Sequence, residues 1–382
     1  MRYFTLVFST FCLLLAGLTA VAAPPAVKVV QLAAGSLVPD ALVDAKGVLH
    51  LVVGIKNDAY YLQSIDNGAT FSKPLKLNGP EGVTTTMGER GPKLALGEEG
   101  SIHVIWADRW KPGAHVLARY TQSLDGGKTF TTPRAISAVW GFDGLTFAVD
   151  NAGNVLVFWH INDERKPVEG EATWLYLTRS TDNGITFSKP ERLQITGHNG
   201  LACSMCQMRA VINNGQVMLA FRSAASDIRD FYVLTSKVAE NAFTTVRVNT
   251  DNWKIDYCPM NGPELTLGPD GRAYCAFMTA NKVYWAVSDA KVSAFTNHVA
   301  TPANETDEIY PTAVANRKGD VLFLWQVGPM STSGKAVVKW ARYGADGKAT
   351  GEQGTAGTSF SGTKATAVVG ADDNFYLLTT AK

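Results

Sequence analysis

Ser64-Ile-Asp-Asn-Gly-Ala-Thr-Phe71, Ser123-Leu-Asp-Gly-Gly-Lys-Thr-Phe130 and Ser180-Thr-Asp-Asn-Gly-Ile-Thr-Phe187 are three copies of one octet, S-x-D-x-G-x-T-F. Each reads as a tight turn. A short Asp side chain accepts backbone N–H bonds, the Gly tolerates positive φ, and the closing Phe is left to pack inward. Worn copies keep only the ends of the pattern, Ser236 with Phe243 and Ser288 with Phe295. The five serines fall 59, 57, 56 and 52 residues apart, so the turn belongs to a repeating unit.

A second repeat runs in step with the first. A turn glycine precedes an apolar–polar alternation in Gly47-Val-Leu-His-Leu, Gly100-Ser-Ile-His-Val, Gly153-Asn-Val-Leu-Val and Gly215-Gln-Val-Met-Leu. It returns in Gly271-Arg-Ala-Tyr-Cys and Gly319-Asp-Val-Leu-Phe, and weakly in Asp373-Asn-Phe-Tyr-Leu. Six residues beyond the glycine stand Trp106, Trp159, Phe221, Phe277 and Trp325, with Val53 the exception. Each unit therefore opens with a β-hairpin, and the whole unit reads as four strands with the octet between the third and fourth. Four-stranded repeats of this length predict an all-β propeller of antiparallel blades. Seven hairpins predict seven blades, the last made from the C-terminal hairpin over 364–380 and an N-terminal strand over 27–32 that closes the ring.

The octets resemble the Asp box of the sialidase-like β-propellers, the BNR-repeat family. The repeat carries this resemblance over nearly the whole mature chain, and the sharp motif over three octets. Catalytic sialidases of that family have six blades, so six is the alternative count. The resemblance implies a carbohydrate-active protein, by glycoside hydrolysis or by glycan binding. It also implies that the box is structural, and that a ligand sits on the opposite face.

Composition agrees with a folded chain whose charges nearly cancel. Of 382 residues, 46% are hydrophobic and 18% charged, and 35 basic residues nearly cancel 34 acidic ones. That apolar share excludes a disordered chain, and the net charge of +1 gives no field to attract nucleic acid. Residues 1–22 read as a signal peptide: Arg2, an apolar run from Phe4 to Leu18, then Ala20-Val21-Ala22 before the cut. The mature chain, 23–382, is then one exported propeller domain, periplasmic or secreted, with no membrane insertion after cleavage.

Strand parity separates two faces. The glycine turns and octets share one, and longer, irregular loops gather on the other, where binding and catalysis concentrate. By resemblance, a sialidase holds its substrate carboxylate with three arginines and attacks with a Tyr assisted by Glu, with an Asp as acid/base. The family's Phe/Tyr-Arg-Ile-Pro motif is absent here, and no arginine occurs between Ala23 and Arg90. Candidates for the clamp on the loop face are Arg90, Arg222 and Arg229, because a planar guanidinium matches a carboxylate bidentately. Candidates for the chemistry are Tyr310, Glu308 and Asp108. For each of these the plain alternative is a surface charge, a loop-organising pair or a packed ring. Trp110, Trp140 and Trp253 offer stacking surfaces for a glycan.

Four cysteines follow the leader, and three sit in Cys203-Ser-Met-Cys206-Gln-Met208 and Cys258-Pro-Met260. Both segments enter first strands of adjacent blades, so these thiols are expected to meet. A disulfide stapling two blades is the leading reading in an oxidising compartment. The same thiols with His198, Met205, Met208 and Met260 are also a soft set suited to copper or zinc. No cofactor is required by the sequence. The non-carbohydrate readings are a protein-binding propeller and a metal or redox role at this cluster. Cys275, within a second strand, reads as core filler.

Overall fold

The computed structural model describes residues 25–109, 116–139, 143–161, 172–302, 305, 307–328, 335–360 and 364–380. The chain forms seven small sheets arranged as a seven-bladed β-propeller, so the six-blade alternative is set aside. Blade one runs Ser36–Val43, Leu49–Ile55, Asp58–Ser64 and Leu75–Lys76, each strand antiparallel to the next. The first strands of blades two to seven are Lys93–Leu96, Asp143–Val149, Arg209–Asn213, Glu264–Leu267, Glu308–Ala315 and Thr366–Val369. First strands of consecutive blades touch all round the ring, the seventh against the first, so they line the axis.

The apolar core is divided among the seven interfaces between blades. Leu51, Leu49 and Val53 of blade one, for instance, meet Val30, Tyr376 and Leu378 of blade seven. Val52 and Tyr61 face the other way, against Leu94, Val104 and Trp106 of blade two. This is period-2 alternation in a strand buried on both faces. Trp106, Trp159, Trp285 and Trp325 are buried between blades by the same rule. No blade covers its own faces, so the ring must close to be stable.

Closure uses the N-terminal strand, as the sequence predicts, but in parallel. Val27–Leu32 lies alongside Phe375–Thr380 in register Val27 with Phe375. The reason is directional. After only three residues this strand must deliver the chain to the loop face, where Ser36–Val43 begins. It therefore runs the same way as the second strand it flanks.

The three octets share one geometry. In the first, Ser64 Oγ donates to Asp66 Oδ1 (2.7 Å) and accepts from Gly68 N (2.8 Å), while Thr70 donates to both Asp66 oxygens. The bonds recur at Ser123–Asp125–Thr129 and Ser180–Asp182–Thr186. The octet glycine also serves the ring. Gly184, at φ +78°, leaves room for the Tyr120 ring of blade two, since a Cβ there would lie 1.9 Å from its hydroxyl. Gly127 does the same for Tyr61 of blade one. Those tyrosines are held by His103 Nδ1 (2.6 Å) and His50 Nδ1 (2.7 Å).

One expectation is corrected. Second-to-third loops are not all long: blades one and five use two-residue turns at Lys56-Asn57 and Ala280-Asn281, all four residues left-handed. Such primed turns match strand twist, so these blades gain nothing from a longer loop. The corresponding loops of blades two, three and six fall wholly or in large part outside the described residues, as do Trp110 and Trp140.

Gly184→Ala is expected to lower unfolding free energy by roughly 2–4 kcal/mol, adding left-handed strain to overpacking. Gly126→Ala, also at positive φ but with open space around it, should cost only about 1–2 kcal/mol. Denaturant melts of the two variants check this, and equal losses would remove the proposed blade contact.

Candidate functional site at the axial channel

One position per blade faces the axis at the same register. Asp40, Lys93, Thr146, Arg209, Glu264, Thr312 and Thr366 each pair with the residue five beyond its own hairpin-turn residue. The charged members tie the ring across its middle. Arg209 of blade four donates to Asp40 of blade one (2.9 Å) and pairs through Nε with Glu264 of blade five (3.0 Å). Lys364, entering blade seven, donates to the other Glu264 oxygen (2.5 Å). Burial works against the Glu264 carboxylate, but Lys364, Arg209 and Lys93 together hold it down at about 2. These ion pairs join blades one, four, five and seven across the axis.

Lys93 is the uncompensated member. It is 3% exposed, and burial, reinforced by the charges of Lys364 and Arg209 against the pull of Asp40 and Glu264, draws its amine down to about 7. Toward the loop face lies Glu89, 7% exposed, whose Oε2 accepts the Gly262 N–H (2.7 Å). Burial pushes its carboxyl up to about 8, against the Gly262 bond and the charges of Lys364 and Lys93, and Cys206 adds to the rise. At neutral pH the pair is thus poised the unusual way round, as a carboxylic acid beside a partly neutral amine.

Tyr310 stands on the same rim. A Cβ on Gly88 would lie 3.2 Å from its hydroxyl, and burial with the Glu89 charge raises its phenol well above the usual range. Its backbone is left-handed (φ 51°) immediately before Pro311, inside a bulge of the first strand of blade six. A bulky residue holds that conformation only where its surroundings impose it, and such residues cluster at functional sites. Arg90 borders the rim, clamped bidentately on Asp143 of blade three and donating to the Met205 carbonyl (2.6 Å).

The remaining sequence candidates go elsewhere. Glu308, despite standing two residues before Tyr310, accepts from Val283 N (3.0 Å) and the Thr301 hydroxyl (2.7 Å), because the bulge separates the two. Asp108 pairs with Arg119 of its own blade (3.0 Å). Arg222 is 1% exposed and spends its donors on the carbonyls of Asn261, Arg229 and Met278. Arg229, equally buried, donates through Nε to the Tyr257 carbonyl (3.2 Å). The three arginines therefore do not converge as a clamp. Trp253 packs over the Arg222 guanidinium, 5.5 Å from its ring centre.

The cysteine expectation is met in part. Cys203, Cys206 and Cys258 come together as buried free thiols, with Cys203 Sγ 3.0 Å and Cys206 Sγ 3.6 Å from Cys258 Sγ. Bonds from the two partner thiols hold Cys258 well below the usual thiol range, and the same contacts push Cys203 up. His198 instead bonds Ser223 (3.0 Å), and Met208 lies in the core between blades three and four. Cys275 is core filler, as expected.

No family model and no curated protein matches the chain. Solved structures do. An α-L-arabinanase of Penicillium chrysogenum complexed with arabinobiose superposes with TM-score 0.55 at 12% identity, over 82% of this chain and 94% of that one. The Hadza microbial sialidase Hz136 gives 0.51 at 16%, over 76% of this chain and 63% of its own. The Fusarium graminearum α-L-arabinofuranosidase arb93a with an iminosugar inhibitor gives 0.51 at 14%, over 82% and 94%. At these identities the likeness establishes the propeller fold.

The Glu89–Lys93 pair sets a pH signature. Glu89 is raised above its unfolded value of about 4.3, so its contribution to stability is full below that pH and lost as pH rises through 8. Lys93 is lowered from about 10.4, so its contribution is full above that value and lost as pH falls through 7. The two losses together are therefore greatest between about pH 7 and 8. Glu89→Gln should gain stability relative to the natural chain as pH rises from about 4.3 to 8, by more than 1 kcal/mol. Urea unfolding across that range measures it; parallel curves would show that Glu89 titrates normally.

Proposed function

We propose that the protein is an exported carbohydrate-active propeller that takes a glycan at the loop-face mouth of its axial channel and cleaves a glycosidic bond there. Glu89 is the proton donor, Lys93 the proton acceptor, and Tyr310 a second neutral donor on the same rim. One arrangement carries this reading. The buried Glu89 carboxyl, fixed by the Gly262 N–H and raised to about 8, lies one residue from Gly88, which packs against the Tyr310 hydroxyl. It is also within electrostatic reach of the buried Lys93 amine, lowered to about 7. Groups whose environments push their protonation apart in this way are how a site assigns its acid and its base. Glu308 and Asp108 drop out of the set, since their carboxylates are committed to other partners.

Support for the substrate class comes from the fold neighbours, whose names record arabinanase, sialidase and arabinofuranosidase activity. Export rests on the leader-like residues 1–22, which lie outside the described residues. Among the described residues no helix is long and apolar enough to cross a membrane. The octets we read as Asp boxes, and the ligand face as the one opposite them. A second reading, binding without turnover, is favoured by the commitment of Arg90 and Arg222 to internal partners.

A panel of arabinans, sialosides and uronate-containing polysaccharides tests both. Turnover by the natural chain should fall about 10²–10⁴-fold in Glu89→Gln while the dissociation constant changes only a few-fold. Equal turnover in the variant would remove Glu89 from the chemistry. Binding without product would select the second reading, and a folded protein that neither binds nor cleaves would sink both.

A further inference from the structure

We propose that Cys203, Cys206 and Cys258 form a trigonal all-sulfur site for Cu(I). Their Sγ atoms lie within 4.8 Å of one another, and the three residues are 1%, 2% and 7% exposed. Among the described residues no imidazole or carboxylate joins the group. Three thiolates alone suit a soft monovalent ion, whereas a structural zinc takes four ligands and a catalytic zinc keeps water in a fourth position.

Charge supplies the second argument. Arg229 is 1% exposed, yet Nη1 and Nη2 have no hydrogen-bond partner. The carboxylate of Asp227 stands 3.9 Å from Nη2 and is half exposed. The Arg229 Nε bonds the carbonyl of Tyr257, the residue before Cys258, so this cation is anchored to the segment that carries the third thiol. Arg222 is near enough to Cys206 to act on it electrostatically. A buried cation short of partners calls for an anion. Copper entry provides one. Cys258, held low by its two partners, enters as a thiolate; the Cys203 and Cys206 protons leave to solvent, three Cu–S bonds form, and neither metal nor sulfur changes oxidation state. The product carries two negative charges opposite two guanidinium groups.

The loop that carries the first two thiols is prepared for this. Arg90 holds the Met205 carbonyl, His160 Nε2 bonds the Cys206 carbonyl (3.0 Å), and Gln207 donates to Asp143 (2.9 Å). The segment is thus pinned from blades two and three before any metal arrives, which lowers the ordering cost of binding. Access is soft as well. Met205 and Met260 are 36% and 37% exposed, one between the first two cysteines and the other two residues past the third. Met87, on the connection beside Glu89, is 47% exposed. Exposed thioethers at the rim can hand a soft ion inward.

The test uses the full chain, reduced with a phosphine and titrated with Cu(I) against a bicinchoninate-type competitor. One equivalent should bind, with a first coordination shell of three sulfurs by copper X-ray absorption. Cys258→Ser should lower affinity at least about 100-fold, and Cys275→Ala should leave it unchanged. If Cys258→Ser does not fold, the absorption spectrum of the natural chain still decides. No uptake by the reduced chain overturns the proposal, as do nitrogen or oxygen ligands, displacement of copper by Zn(II), or a Cys203–Cys258 disulfide whose reduction restores no binding.

Discussion

The Arg209 guanidinium is the tie on which the centre of the molecule depends. It reaches from blade four across the axis to Asp40 of blade one, and holds Glu264 of its neighbour blade as well. A propeller made of separate sheets has a core between blades and a hole in the middle. In this chain the hole is closed by charge rather than by apolar side chains. Asp40, Arg209, Glu264 and Lys364 satisfy one another, so their burial is tolerable; any one alone would be costly.

That choice shapes the loop-face mouth. Two carboxylates and two cations in the network are balanced, and Lys93 is the extra cation. Burial first, and then the neighbouring cations, drive its amine toward neutrality, while burial drives Glu89 to hold its proton. Tyr310 reaches the same rim through a left-handed bulge that blade one repeats at Val38, and Arg90 is clamped on Asp143. Arg90 in turn fixes the loop bearing Cys203 and Cys206. The candidate glycan site and the loop of the thiol trio are thus joined through Arg90.

Much of the fold was legible in the repeats. The hairpin glycines set the number of blades, and the octets set the strand order and the turn face. Closure by residues 27–32 followed from the missing third strand of the last blade, although its parallel direction did not. The site was half legible. Tyr310, Arg90 and the meeting of three cysteines came from their places in the repeat. Glu89 and Lys93 did not, because their significance lies in what surrounds them after folding. A signal existed: aligned on the turn residue, the first strands put Asp40, Lys93, Arg209 and Glu264 at one position where a soluble β protein has no surface. Charges recurring at a buried register mark an axis. The burial of Arg222 and Arg229 could not be read from sequence: Arg222 ends a second strand and is capped by the carbonyls of Asn261, Arg229 and Met278, while Arg229 bonds the Tyr257 carbonyl.

The most direct measurement is the unfolding free energy of Arg209→Met as a function of pH. Removing the tie leaves Glu264 paired with Lys364, and Asp40 buried with the Leu94 N–H and no direct cationic partner. The loss should therefore be about 3–5 kcal/mol at pH 7 and should shrink in acid, as the stranded carboxylates take up protons. An Arg209→Met variant as stable as the natural chain at pH 7, or one whose loss is the same at pH 4, would contradict the view that a charged network at the axis organises this propeller.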